Sequence, residues 1–232
     1  MKNKLRSIYH QYFQKYFQQI YEIQQDTLAM QSLAPFSQTY LPWSDSSMRP
    51  TALVAVLNDI LINKRVSIVE CGGGISTLYI ARLLKEKGGK LYTLEHEKKW
   101  ANFLEEQLKD EALDKFVSII ASPLISTHLA IDNNQWYDTN ILSQFFSNQS
   151  IDMLLVDGPP AYKKQLKCAR YPAVPYFKPF LADDYTIILD DINREGEQKV
   201  LIKWEEDLNI SFERRLAKGN IAIGRSKSLF TV

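Results

Sequence analysis

The chain has 232 residues, of which 45% are hydrophobic and 24% charged, and its formal net charge is +1. That length can bury one sizeable core, and so even a charge balance gives no field for holding DNA or RNA, so no nucleic-acid partner is expected. Cys71 and Cys168 are too few for a disulfide framework and have no Cys or His neighbour at zinc spacing, so a reducing, cytoplasmic setting is expected.

Residues 1–31 predict an amphipathic helix. Leu5, Tyr9, Tyr12, Tyr16, Ile20 and Ile23 recur at spacings of three and four and share one face. The first 20 residues carry Lys2, Lys4, Arg6 and Lys15 and no acid. Such a helix packs on its own domain, pairs with a second copy as a homodimer, or lies peripherally on an anionic membrane. The basic start lacks the apolar stretch of a signal peptide, and no apolar run approaches membrane-spanning length.

Residues 32–62 lead into the core. Pro35, Pro42, Pro50 and the Ser44-Asp45-Ser46-Ser47 cluster predict a loop, followed by a helix over Thr51–Ile62 with Pro50 near its first turn. From residue 63 to 232 an alternation of strands and helices defines the main domain. Strands are expected at Arg65–Glu70, Lys90–Glu95, Val117–Ala121, Ile151–Val156 and Tyr185–Leu189. Helices are expected over Ile75–Lys87, around Trp100–Leu108 and around Val200–Leu208. Ser211–Leu216 and Asn220–Gly224 flank a Lys218-Gly219 turn and predict a closing hairpin. The fold class is therefore α/β: a Rossmann-like, seven-stranded, mostly parallel sheet with helices on both faces and a C-terminal antiparallel hairpin. Residues 122–150 form a long insert, a place where function often sits.

The first strand runs into Glu70-Cys71-Gly72-Gly73-Gly74-Ile75-Ser76-Thr77. Glycines let the backbone turn sharply and approach a ligand, and the following helix offers free N–H groups to a carboxylate or phosphate. A dinucleotide site expects a third glycine three residues after the second, and Thr77 stands there. Glu70 is unhelpful beside a pyrophosphate and suits a ligand with an amine. Glu95 ends the second strand, where a carboxylate accepts ribose hydroxyls from an adenosyl donor or from NAD alike. Cys71, inside the turn, reads as a small buried filler.

These features resemble the class I S-adenosylmethionine-dependent methyltransferases, over about residues 41–225. The matching motifs are Glu70-Cys71-Gly72-Gly73-Gly74, Glu95, and Asp157 in Asp157-Gly158-Pro159-Pro160. More narrowly, Leu94-Glu95-His96, Trp136-Tyr137-Asp138, Ala169-Arg170-Tyr171-Pro172 and Leu189-Asp190-Asp191 look like a bacterial subgroup associated with sugar and cell-surface biosynthesis. The resemblance implies S-adenosyl-L-methionine as cofactor. Glu70, Gly72 and Gly74 would hold its methionine end, with Gly73 and Ser76 in the same turn. Glu95 would hold the ribose with His96 beside it, and Ser122 and Leu124 would lie along the adenine.

Asp157 and Asp190-Asp191 end neighbouring strands, so their carboxylates should open into one cleft. Asp157 is the first candidate for a base that takes a hydroxyl proton, and His128 in the insert the second. The same three acids offer hard oxygen ligands for Mg²⁺ or Ca²⁺, as in metal-dependent O-methyltransferases of this fold. Asp157-Gly158-Pro159-Pro160 is similar to the Asp-Pro-Pro-aromatic motif of amino-group methyltransferases, but Gly158 breaks the spacing and Ala161 replaces the aromatic. Trp43, Trp136 and Tyr137 are placed to stack on an acceptor, or to fill core. Arg170 and Arg194 are placed to hold an acidic acceptor, and Asp191 is a further candidate substrate contact. The expected activity is methyl transfer to a hydroxyl of a small-molecule or saccharide acceptor. The alternatives are a non-catalytic adenosyl-binding module and an NAD-binding oxidoreductase.

Overall fold

The computed structural model describes residues 2–37, 39–40, 42–132 and 134–227, and the side chains of residues 2–8 and 10–12 lie outside that description. One seven-stranded sheet forms the centre. In chain order it comprises β1 (Ser67–Cys71), β2 (Lys90–Glu95), β3 (Val117–Ala121), β6 (Ile151–Val156), β7 (Leu181–Leu189), β8 (Phe212–Arg215) and β9 (Ile221–Arg225). Their spatial order is β3-β2-β1-β6-β7-β9-β8. The first five are parallel, and β9 and β8 add an antiparallel hairpin at one edge.

The chain winds outward through β2 and β3, then returns to place β6 on the other side of β1. That reversal opens a crevice at the carboxyl ends of β1 and β6, where ligands bind in open α/β sheets.

Two apolar layers cover the sheet because successive strand residues point to opposite faces. Ile68, Met153, Leu155 and Ile188 pack against α2 (Pro50–Ile62) and α3 (Ile75–Lys87). Val69, Leu154, Val156, Ile187 and Leu189 pack on the other face, with α6 (Ala173–Phe177) and α7 (Glu195–Leu208). The helix α4 (Lys98–Asp110) follows β2, with Ala101, Leu104 and Leu108 on its buried side.

Several boundaries differ from expectation for identifiable reasons. The first strand begins at Ser67 because the Arg65 side chain is turned inward, donating to Asp184 Oδ1 at 2.9 Å and to Thr186 Oγ1 at 3.0 Å. It runs on to Cys71, which pairs with Leu94 and Val156. The fifth strand starts at Leu181 rather than Tyr185, crossing a register shift opposite Ile151–Met153 that Asp183 and Asp184 conceal from a hydrophobic pattern.

The 122–150 insert folds into β4 (Leu124–Ser126), β5 (Gln135–Tyr137) and α5 (Thr139–Phe146). Trp136 was one candidate for stacking on an acceptor, and its position corrects that reading. It is fully buried, with its ring 5.4 Å from that of Tyr137, 5.3 Å from Tyr176 and 6.1 Å from Phe177. Trp43 likewise packs against Tyr79 of α3, with ring centroids 6.3 Å apart.

The N-terminal helix α1 spans Lys2–Leu33. The expected face includes Leu5 and Tyr12, whose side chains lie outside the described residues; Tyr9, Tyr16 and Ile23 are exposed. Ile20 on the same face is half-buried, and the helix packs on its own domain through its later turns, where Ala29 and Leu33 are the buried apolar residues of α1 among those described. An ion-pair clasp holds that end. Arg49 pairs with Glu22 and with Asp26, each at 2.7 Å, and Thr51 Oγ1 donates to Asp26 at 2.6 Å.

Truncating Trp136 to Ala should cost about 3–5 kcal/mol, the range for a large buried aromatic. Chemical denaturation checks this, and a loss below about 1 kcal/mol contradicts the core assignment.

Candidate active site

The glycine turn is built on a buried carboxylate. Glu70 is the penultimate residue of β1, on the face toward α3, next to Thr93 of β2 in the strand register. Ser76 Oγ donates to Glu70 Oε1 at 2.5 Å, and Thr77 Oγ1 and Thr93 Oγ1 donate to Oε2 at 2.6 and 2.8 Å. Thr77 Oγ1 also accepts from the Gly74 N–H at 3.0 Å. One threonine thus ties the turn to the acid and caps α3. Burial pushes Glu70 up to about 7 even though three hydroxyls stabilise its charged form.

Two loops meet backbone to backbone above this anchor. Gly72 has φ of +91°, and a Cβ there would lie 2.8 Å from the Gly158 nitrogen. A Cβ on Gly158 would lie 2.7 Å from the Gly72 Cα and 2.7 Å from the Tyr137 hydroxyl. Both positions therefore require glycine. The Asp157 and Gly158 N–H groups both donate to the Cys71 carbonyl, at 3.0 and 2.6 Å, closing the seam between β1 and β6.

Around the seam lies a cavity of about 540 Å³, within the usual range for a small-molecule site. Its walls carry the glycine turn, Glu95 and His96, Asp157–Pro160, and Asp190-Asp191. Glu95 Oε2 accepts from the Gly73 N–H at 3.1 Å and Oε1 from the Glu97 N–H at 2.7 Å. His96 Nδ1 lies 3.0 Å from Glu95 Oε1, and that hydrogen bond raises the imidazole pKa. Tyr137 also lines the wall; its hydroxyl is buried and has no hydrogen-bond partner among the described residues.

Opposite Glu95 is a cluster of carboxylates around one buried guanidinium. Oxygens of Asp157, Asp190 and Asp191 all lie within 4.8 Å of one another. Arg170 Nη2 donates to Asp157 Oδ1 at 3.2 Å and to Asp191 Oδ2 at 3.0 Å. Arg194 Nη1 lies 2.7 Å from the same Asp191 oxygen. Burial raises Asp157 to about 6, the Asp191 charge adds to that, and Arg170 opposes it. Asp190 is pushed well above the carboxylate range by burial and by the charges of Asp157 and Asp191.

Gly72, Gly73, Gly74, Ser76, Glu95 and His96 thus share one cavity with Tyr137, Asp157, Arg170, Asp190 and Asp191. Several expected residues do not. Glu70 is beneath the turn, not on the wall, with its oxygens engaged by hydroxyls; it supports the turn instead of meeting a ligand amine. Ser122 is buried and its Oγ accepts from the Asp138 N–H at 2.9 Å, and Leu124 packs on the core beneath the insert. His128 is exposed and off the cavity wall, so it is no base for this site. Trp43 and Trp136 are off the wall as well.

Other wall residues escaped the sequence reading. Ser44–Met48, read as a period-breaking loop, borders the cavity. Trp100, read as a helix-packing residue, faces it and donates from Nε1 to the Gly73 carbonyl at 2.8 Å. A tryptophan in the first turn of the helix after Glu95 is a usable signal, because that turn abuts the glycine loop. Tyr162 stands exposed at the rim.

Replacing Glu70 with Ala leaves three buried hydroxyls without an acceptor and should destabilise the fold by at least about 3 kcal/mol. Replacing Tyr137 with Phe removes an unpartnered hydroxyl and should leave stability within about 0.5 kcal/mol, or raise it. Denaturant midpoints measure both. A Tyr137→Phe loss beyond about 1 kcal/mol contradicts the assignment of a free hydroxyl.

Comparison with known proteins places this geometry. Similar folds occur in the S-adenosylhomocysteine-bound methyltransferase PaMTH1 of Podospora anserina, at 15% identity and TM-score 0.57, over 87% of this chain and 96% of that one. An O-methyltransferase from Bacillus cereus, in complex with S-adenosylhomocysteine, aligns at 17% identity and TM-score 0.54 over 87% and 90% of the two chains. The O-methyltransferase TomG of Streptomyces achromogenes, involved in tomaymycin synthesis and in complex with S-adenosylmethionine, aligns at 16% identity and TM-score 0.52 over 87% and 88%. At these identities the likeness establishes the fold. No curated protein sequence matches the chain. The sequence model described as "Methyltransferase domain" matches residues 69–192, from the strand ahead of the glycine turn to just past Asp190-Asp191. That span is more than half of the 232 residues and contains the Glu70 anchor, the turn and all three clustered acids, so the chain belongs to the methyltransferase domain family.

Proposed function

We propose that the chain is an S-adenosylmethionine-dependent O-methyltransferase for a small-molecule or saccharide acceptor. The observation that carries this reading is the shared cavity of the glycine turn, the Glu95 carboxylate and Asp157. The donor presents a carboxylate, an ammonium, a sulfonium and a ribose. The first turn of α3 has N–H groups without intrahelical acceptors, which suit the carboxylate. Glu95 suits the ribose hydroxyls, with His96 and Trp100 beside it. Acids outnumber guanidinium groups on the wall, which favours a donor that is cationic at sulfur. Thr77, standing where a dinucleotide site would have its third glycine, is used to lock Glu70 to the turn, which disfavours NAD.

Methyl transfer from a sulfonium is an in-line displacement. The acceptor oxygen forms the new C–O bond as the C–S bond breaks, and S-adenosylhomocysteine leaves with the sulfur lone pair. Alignment in the cavity supplies roughly 7–11 kcal/mol of such a reaction. Asp157 is the proposed base that receives the hydroxyl proton. The three similar structures are complexes with S-adenosylmethionine or S-adenosylhomocysteine, and two of them are O-methyltransferases, which supports this class. The motif likeness to sugar and cell-surface biosynthesis proteins supports a saccharide. Two buried free thiols accord with a reducing, cytoplasmic setting. No described helix is long and apolar enough to cross a membrane. The exposed aromatics of α1 suit a homodimer contact or a peripheral membrane contact.

Transfer of labelled methyl to a panel of hydroxylated acceptors tests the reading. Asp157 must be ionised to act, so turnover should rise with pH through about 6 and then level off. Asp157→Asn should lower it by about 10²–10⁴-fold. Transfer to nitrogen acceptors alone, or an Asp157→Asn variant of full activity, overturns the assignment.

A further inference from the structure

Three carboxylates converging at neighbouring strand ends make an arrangement that a hard divalent cation uses. In this chain a side-chain cation is already there. Arg170 is only 3% exposed and sends its planar fork into the cluster. Nη2 reaches both Asp157 Oδ1 and Asp191 Oδ2, at 3.2 and 3.0 Å. Nη1 donates to the Asp190 carbonyl at 3.1 Å and Nε to the Pro159 carbonyl at 3.3 Å. Glu197, buried behind it, has its Oε1 3.9 Å from Nε.

The acids are correspondingly engaged. One oxygen of Asp157 and one of Asp191 accept from Arg170, and Asp190 Oδ1 accepts from the Asp191 N–H at 2.8 Å. Arg194 adds a second guanidinium on Asp191. A dication entering from the cavity would share these oxygens with two positive groups, which offset much of the negative field that would hold such an ion. On this argument the residues present do not fit a resident Mg²⁺ or Ca²⁺, against the expectation that the acids alone raise.

We infer that Arg170 stands where a metal ion would stand in such a cluster, and that it orients Asp157 and Asp191 toward the acceptor in a metal-free site. The orienting role rests on the methyltransferase reading; the exclusion of the cation does not. In that role Arg170 is a positioning residue. Its fork holds the outer face of Asp157 toward the cavity, so an acceptor oxygen meets a carboxylate and not a metal-bound group.

The test uses the whole chain, stripped with EDTA and titrated with Mn²⁺ and with Mg²⁺ by calorimetry and by electron paramagnetic resonance of Mn²⁺. The expected result is no binding below millimolar concentration and an unchanged thermal midpoint. One Mn²⁺ per chain bound in the micromolar range, and lost in Asp157→Asn, would falsify the inference. Arg170→Gln removes the charge while keeping a polar side chain. Folded Arg170→Gln protein should bind Mn²⁺ at least tenfold more tightly than the wild type, and failure to do so overturns the claim that this guanidinium excludes the ion. If that variant does not fold, the wild-type titration decides alone. Neither titration needs donor or acceptor, so a wrong methyltransferase reading shows separately, as absence of S-adenosylhomocysteine binding.

Discussion

The site depends first on the Glu70 carboxylate, buried at the end of the first strand and clasped by three hydroxyls. Ser76 and Thr77 reach it from the start of α3, and Thr93 reaches it from β2. A buried acid is costly unless it is hydrogen-bonded, so these donors are conditions for the fold as much as gains to it. The clasp joins strand, turn and helix at one point. It fixes where α3 begins and which way its first N–H groups face. Gly72 can then press against Gly158, because the chain that carries each is held from behind. Glu95, bonded to the Gly73 N–H, takes its position from the same turn.

A second charged centre, built differently, lies on the cavity wall itself. Glu70 is satisfied by neutral hydroxyls, and burial pushes it up to about 7. Asp157 and Asp191 are satisfied by a guanidinium whose own charge is matched on several sides. Arginine suits this place because its planar fork can serve two carboxylates and two carbonyls at once, which lysine cannot. One centre is mechanical and sets the backbone of the turn. The other is electrostatic and keeps a carboxylate exposed at the end of β6 in a chosen direction. The second centre lines the 540 Å³ cavity in which the proposed chemistry takes place, and Glu70 supports that cavity from beneath the glycine turn.

The parts of this architecture governed by local pattern were legible in the sequence. The runs Lys90–Glu95, Val117–Ala121 and Ile151–Val156 are strands with those same ends, and the central Ile151–Val156 is the clearest, because a parallel strand covered on both faces is apolar at nearly every position. The glycine turn and the adjacent acids were legible for the same reason. What was hidden depends on partners distant in sequence. Trp136 reads as an acceptor platform or as core alike until Tyr176 and Phe177, some 40 residues later, are seen to close over it. Glu70 reads as a ligand for an amine until the hydroxyls of Ser76, Thr77 and Thr93 are seen to occupy it. The Ser44–Met48 loop has no period and no motif, and only the fold brings it to the cavity. Arg170 reads as a group that holds an acceptor until the fold sets Asp157 and Asp191 on its fork. His128 shows the reverse case: a chemically able residue that its own hairpin leaves outside the site.

The central claim is that the Glu70-anchored turn receives an adenosyl sulfur ligand in the cavity shared with Glu95. Isothermal calorimetry of the purified chain with S-adenosylhomocysteine and, separately, with NAD tests it most directly. The account predicts one site for S-adenosylhomocysteine, no heat with NAD, and loss of the sulfur-ligand signal in Glu95→Ala. Binding of NAD with no response to S-adenosylhomocysteine or S-adenosylmethionine would contradict it.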